Sequence, residues 1–167
     1  MSEQLLPQSL SDRDHELLRR CVDLARESLE AGGEPYGSLL VDAEGTVRFE
    51  DRNRTEHGDA TQHPEFAIAR WAAEHLTPAE RERAVTYTSG EHCAMCSAAH
   101  AWVGLGPIVF ASSGAQVREW YAQWGVPAGR VSPLSIADVA PSIETVGPVA
   151  EYTEEIKRLH RRLHPGE

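Results

Sequence analysis

Apolar residues at Leu17, Leu18, Cys21, Val22, Ala25 and Leu29 recur every three to four positions, which predicts an amphipathic helix. Ser11 stands where its N-cap belongs, Asp12 and Asp14 fall in the first turn, and Gly32 and Gly33 stop it. The period then shortens. Residues 38–41 and 46–49 read as two strands around a turn at 43–45, which makes a hairpin. A polar loop over 54–61 follows. From Pro64 to Leu76 the chain is apolar nearly all round, through Phe66, Ile68, Ala69, Trp71 and Ala72, as in a helix buried against a sheet. Pro64 suits its first turn, where a missing amide donor loses nothing, and Thr77-Pro78 closes it. Residues 84–89 predict a third strand, 94–105 an alanine-rich helix and 107–111 a fourth strand. Beyond them the signal weakens. Residues 114–124 read as a short helix or helical loop, 131–134 as a stretch pairing briefly with the sheet, 135–148 as loop with short strand pieces, and 152–163 as a closing helix. Strands alternating with helices predict an α/β layer structure, and the initial hairpin makes the sheet mixed.

At 167 residues the chain fits one domain over 1–167, with a C-terminal helical segment at about 150–164. No apolar run approaches the roughly 18 residues a membrane span needs, so no membrane partner is expected. The stretch MSEQLLPQSLSDRD lacks the basic start and apolar core of a signal peptide, which predicts a cytoplasmic protein. Three unevenly placed cysteines do not make a disulfide scaffold, and Cys21 lies on an apolar stripe as a small hydrophobe. The net charge of -10 argues against a nucleic-acid partner, because phosphate contacts need clustered Lys and Arg. The one basic cluster, Lys157, Arg158, Arg161 and Arg162, ends a helix that Glu154 and Glu155 begin, an order that suits the helix dipole.

The chemistry concentrates in two short stretches. His63 and Glu65 open one buried helix; Cys93 and Cys96, in GEHCAMC, open the next. Both helix N-termini can converge at one sheet edge, where sites form in open α/β folds. At i and i+3 the two sulfurs face one side, and helix N-terminal amides favour thiolates there. One imidazole and two thiolates make a three-ligand zinc site with an open position, an arrangement suited to catalysis more than to scaffolding. Glu65, two residues past His63, stands where it can exchange a proton with a water at that position. Either motif alone is weak; together, each before a buried helix with a strand between, they are far more specific. Set against this are plainer readings: His63 as a capping histidine, the cysteines as buried small residues or a redox pair, and the metal clip as purely structural, with His92 as the nearby fourth ligand.

On Pro35-Tyr36-Gly37 with its hairpin, Asn53, His63-Pro64-Glu65 and Cys93-Ala94-Met95-Cys96, the chain resembles the cytidine-deaminase-like superfamily, in its nucleobase, nucleoside and tRNA-adenosine branch. The resemblance covers roughly residues 17–111. It departs in two places: Pro64 stands where the family has alanine, and His92 where it has proline. The resemblance implies a three-layer α/β/α sandwich around a central mixed five-stranded sheet. It implies Zn2+ on His63, Cys93 and Cys96, Glu65 as the catalytic acid/base, Asn53 as a base or sugar contact, and a homodimer. Three readings stand for His92: a substrate contact, a group that tunes a metal ligand, or a solvent-facing side chain. Trp120, Tyr121 and Trp124 either cover a flat base by stacking or pack in the core or a subunit interface.

The expected activity is zinc-dependent hydrolytic deamination of a small aminated heterocycle: a guanine-like base, an aminated s-triazine or a 5-azacytosine-like base. The lengthened C-terminal region resembles the bacterial guanine-deaminase side of the family, where acidic residues recognise the guanine edge. Glu144, Glu151, Glu154 and Glu155 are available for that. The alternatives are a tRNA adenosine deaminase and a non-catalytic structural zinc or interaction protein.

Overall fold

The computed structural model describes residues 9–166; the expectation drawn from the N-terminal stretch rests partly on residues 1–8, outside the described residues. The first helix, α1 (Asp12–Glu30), begins with a capping box in which the Ser11 hydroxyl accepts from the Asp14 amide and the Asp14 carboxylate accepts from the Ser11 amide. Its buried stripe holds the expected Leu17, Leu18, Cys21, Val22 and Ala25, with Leu24 and Ser28 added and Leu29 only partly buried. Gly37 opens β1 (Gly37–Val41) where α1 crosses; a Cβ there would lie 2.3 Å from the Leu24 Cβ and 2.6 Å from the Cys21 carbonyl, so only glycine lets helix and strand approach this closely.

Strand β1 pairs antiparallel with β2 (Val47–Arg52) on one side and with β3 (Val85–Gly90) on the other. Parallel pairing then continues to β4 (Ile108–Ser112) and to the two-residue β5 (Thr145–Val146), giving the order β2-β1-β3-β4-β5. The mixed five-stranded sheet is the expected one. Alternation along its strands divides the core. Leu39, Val41, Tyr87, Val109 and Ala111 face α1, α5 (Gly114–Gln123) and α7 (Thr153–Leu163). Leu40 turns to the opposite face, against Ile68, Ala69 and Ala72 of α2 (Pro64–His75) and Leu105 beyond α4 (Ala94–Trp102). Ile108 and Phe110 meet Ile136 of the short α6 (Ile136–Val139) on that face. Helices therefore flank the sheet on both sides.

Several expectations change, among them the stretch 135–148, expected as loop with short strand pieces, which holds α6 as well as β5. Residues 131–134 do not pair with the sheet; β5 takes that edge, while Pro133 has no amide to give a ladder and Val131 and Leu134 stand 68% and 45% exposed. Thr77-Pro78 closes α2 but also opens α3 (Pro78–Arg83), because Thr77 and Glu80 form a second capping box. The second hairpin strand runs on to Arg52. No helix among the described residues is long and apolar enough to cross a membrane.

Candidate functional site

The parallel β3 and β4 leave the sheet at their C-terminal ends, and there the N-termini of α2 and α4 converge. His63 is the N-cap of α2, with Pro64 fixing the first turn, and Cys93 is the N-cap of α4. The Nδ1 atom of His63 lies 3.6 Å from the Sγ atoms of both Cys93 and Cys96. Bonds of about 2.3 Å to sulfur and about 2.0 Å to nitrogen, at a tetrahedral angle, would set nitrogen and sulfur about 3.5 Å apart. The three side chains thus fit one zinc ion, and among the described residues no fourth protein ligand joins them.

Their electrostatics are those of a ligand set. The Cys96 thiol donating to Cys93, with the His63 ring on its other side, pulls the Cys93 thiol down to about 4. The Cys93 sulfur in turn raises His63 to about 9 and, with burial, pushes the Cys96 thiol up. The Cys96 amide points at the Cys93 sulfur and the Phe66 amide at the Cys96 sulfur, so helix-start donors are spent on the sulfurs.

Glu65 lies behind this cluster, 4% exposed, with Oε2 3.9 Å from the Cys96 Sγ. Its Oε1 accepts from the hydroxyls of Ser38 and Thr88, each at 3.0 Å. Those two residues are a directly opposed cross-strand pair of β1 and β3, which is why both hydroxyls reach one oxygen. They also touch each other at 2.8 Å, and the Thr88 hydroxyl has a second acceptor in the Gly90 carbonyl at 2.9 Å. Burial raises the Glu65 carboxyl, against the pull of His63. Ser38 and Thr88 are not among the residues singled out from the sequence; the signal available was a hydroxyl opening the apolar run of β1 and a run of hydroxyls along β3.

A cavity of about 410 Å³ adjoins the cluster on the Cys93 side, reaching under the segment 126–134. Tyr121 lines it, together with Tyr36, and the Tyr121 hydroxyl is held at 2.9 Å from Nδ1 of His160. Trp120 does not reach it: the ring is 5% exposed in the core below α1 and α7. Trp124 packs against that same core with Arg161 over its face. His92 is not solvent-facing. It lies on the cavity wall, 2% exposed, with neither ring nitrogen hydrogen-bonded and its ring edge-on to His100. It is no part of the metal cluster. Asn53 is fully buried; its Oδ1 accepts from the Thr55 amide, the Thr55 hydroxyl and the Glu34 amide, a turn that ties the end of β2 to the loop before α2. Glu155 pairs with Arg19 and Arg26, Glu151 pairs with His15, and neither they nor Glu144 and Glu154 line the cavity.

Glu91, between β3 and the cysteines, was also not foreseen. Its carboxylate accepts from the Gly114 amide at 2.8 Å and the Ile136 amide at 3.0 Å, bridging the first residues of α5 and α6. It thereby clamps both ends of the cavity's roof to the strand that carries the metal cluster.

Comparison with known proteins agrees with this geometry. The family described as "Cytidine and deoxycytidylate deaminase zinc-binding region" matches residues 11–112. A probable cytosine deaminase of Schizosaccharomyces pombe is 31% identical over 85% of this chain and 88% of its own length. Guanine deaminase of Bacillus subtilis is 33% identical over 59% of this chain and 65% of its own. A guanine deaminase structure from Nitrosomonas europaea superposes with a TM-score of 0.66 over 96% of this chain and 88% of that one, at 18% identity, so the likeness there is one of fold. With the family's match spanning more than half the chain and enclosing His63, Glu65, Cys93 and Cys96, this protein belongs to the cytidine and deoxycytidylate deaminase zinc-binding family.

Proposed function

We propose that the protein is a hydrolytic deaminase of a small aminated nucleobase-like heterocycle, with His63, Cys93 and Cys96 as zinc ligands and Glu65 as the catalytic acid/base. The observation that carries this reading is the buried Glu65 carboxyl beside a three-residue cluster that no fourth His, Cys, Asp or Glu among the described residues joins. A structural zinc clip would not call for a costly buried carboxyl, and His92 is turned to His100 instead of completing the coordination. The two relatives named for cytosine and guanine deamination support a base as substrate.

Zinc held there acidifies a water and offsets charge that develops next to it. The chain's own groups then handle the protons. Glu65 takes one from the attacking water and gives it to the ring nitrogen next to the amine-bearing carbon. It then takes the water's second proton from the new hydroxyl on the ring carbon and passes it to the amine; the carbon–nitrogen bond breaks, and water and the aminated ring become the oxo ring and ammonia. Burial raises the Glu65 carboxyl above its ordinary value, the direction that favours a group able to hold a proton as well as to accept one. The Ser38 and Thr88 hydroxyls accommodate both forms. Facing a carboxylate, both donate to Oε1; facing a carboxylic acid, Thr88 can rotate its proton to the Gly90 carbonyl and free Ser38 to accept.

The test is ammonia release by zinc-loaded protein against guanine, cytosine, 5-azacytosine, aminated triazines, their nucleosides where these exist, and a tRNA anticodon stem. Release from at least one free base by the wild type, absent from Glu65→Ala at equal zinc content, is the expected result. Release confined to tRNA would move the protein to the editing alternative; zinc binding without any release would favour the structural one.

A further inference from the structure

We infer that the cavity beside Cys93 holds an apolar arm of the substrate, so that the preferred heterocycle carries an alkyl or aryl substituent. This rests on the deaminase reading above.

The cavity meets the metal-ligand cluster at Cys93, which with Ala94 forms part of its wall. Its 410 Å³ lies within the range of about 300–1,000 Å³ typical of sites for drug-sized ligands, more than a single unsubstituted ring requires. What lies beyond the ring position is apolar: Val117, Val126, Val131, Pro133 and Leu134 line it. Two of these, Val131 and Leu134, are among the few large hydrophobic side chains that stand exposed, and they do so on one segment facing one cavity. Exposed apolar side chains gathered over a concave site mark a ligand-binding surface.

Two of the wall's polar side chains are already engaged: Glu91 spends one oxygen on the Gly114 amide and the other on the Ile136 amide, and the Tyr121 hydroxyl is tied to His160. His92, with neither ring nitrogen hydrogen-bonded, Arg118 and Ser132 also line the cavity, on the same wall as the apolar stretch. Against that stretch each buried methylene of an alkyl arm contributes about 0.8 kcal/mol. Because Glu91 pins both α5 and α6, the roof that carries Val131 and Leu134 is set in place before substrate arrives.

The experiment uses guanine and cytosine scaffolds in three forms: bare, ribosylated, and carrying a propyl group placed in turn at each ring position other than the reacting one. The full-length zinc-loaded protein is assayed for kcat/KM on each. Calorimetric binding of the matching oxo products reads the same pocket without turnover. At least one propyl isomer should exceed its bare ring by about tenfold or more in kcat/KM, and its oxo product should bind with a more negative heat-capacity change. Leu134→Asp should erase that ratio. The inference falls if no propyl isomer outruns its bare ring, if the nucleosides outrun both, or if the ratio survives Leu134→Asp, as it would were this face covered by a second copy of the chain. Each of those outcomes leaves Glu65-dependent ammonia release in place. Absence of release from every scaffold, with no product binding, would bring down the deaminase reading itself.

Discussion

Two neighbouring regions are built on opposite principles. The starts of α2 and α4 are polar and tied together: His63 with both sulfurs, Glu65 with Ser38 and Thr88. The cavity wall from Val117 through Leu134 is largely apolar, partly exposed and almost without regular structure beyond α5. On the proposed reading the first carries the chemistry and tolerates little change, while the second selects what is brought to it, and a segment with few hydrogen bonds of its own is free to vary.

The largest effect should follow from removing a ligand on the polar side. His63→Ala or Cys96→Ala should reduce bound zinc from one per chain to near zero, by metal analysis after dialysis, with loss of all deamination. Retention of zinc at full occupancy would contradict the ligand assignment.

Next comes the hydroxyl pair. Ser38→Ala with Thr88→Val should lower kcat about tenfold while KM holds, since two hydrogen bonds to the Glu65 oxygen are lost and no substrate contact is touched. A change in KM alone would show that the pair shapes the pocket and does not serve the carboxyl.

On the apolar side, Glu91→Ala should do the reverse. Freed of its clamp, the roof loosens, KM rises about tenfold with kcat within about twofold, and cleavage by a dilute protease appears within residues 125–134. Glu91→Gln, which keeps one acceptor, should fall between.

The smallest effect concerns the layer beneath that roof. Burial lowers His160 to about 3, so the folded state keeps the ring neutral while the unfolded chain protonates near 6.5. The unfolded state binds more protons in that interval, so stability is full above about pH 6.5 and declines as the pH falls towards 3. His100, lowered to about 4 by burial, adds to the same decline. Urea midpoints measured from pH 7 to 4 should fall steeply in the wild type and less steeply in His160→Gln, which keeps an acceptor for the Tyr121 hydroxyl.

The same division decides what the amino-acid sequence made legible. The strands and helices that carry the metal cluster show strong periods, and His63, Glu65, Cys93 and Cys96 stand at helix starts that Pro64 and the GEHCAMC turn announce. Burial supplies the physical reason: a wall with one allowed composition leaves a pattern. The apolar side leaves little. Two-residue β5 is too short for any period to show, and Val131 and Leu134 look like a strand because both a strand and a cavity roof want apolar residues. Trp120 and Tyr121 are neighbours in sequence, yet the helix turns one into the core and the other to the cavity. Asn53 is expected from the resemblance as a substrate contact, and the hydrogen bonds that its Oδ1 accepts from the Thr55 amide, the Thr55 hydroxyl and the Glu34 amide have no pattern in the sequence that announces them. Ser135 with Asp138 did carry a capping-box spacing for α6 that the loop reading overlooked.

On the proposed reading Glu65 moves protons beside a bound zinc. The decisive measurement is the rate of ammonia release by Glu65→Gln at one zinc per chain, on whichever base the wild type deaminates best. Zinc should be unchanged and kcat lower by about 10²–10⁴-fold. Undiminished turnover in that variant, with zinc in place, would contradict it.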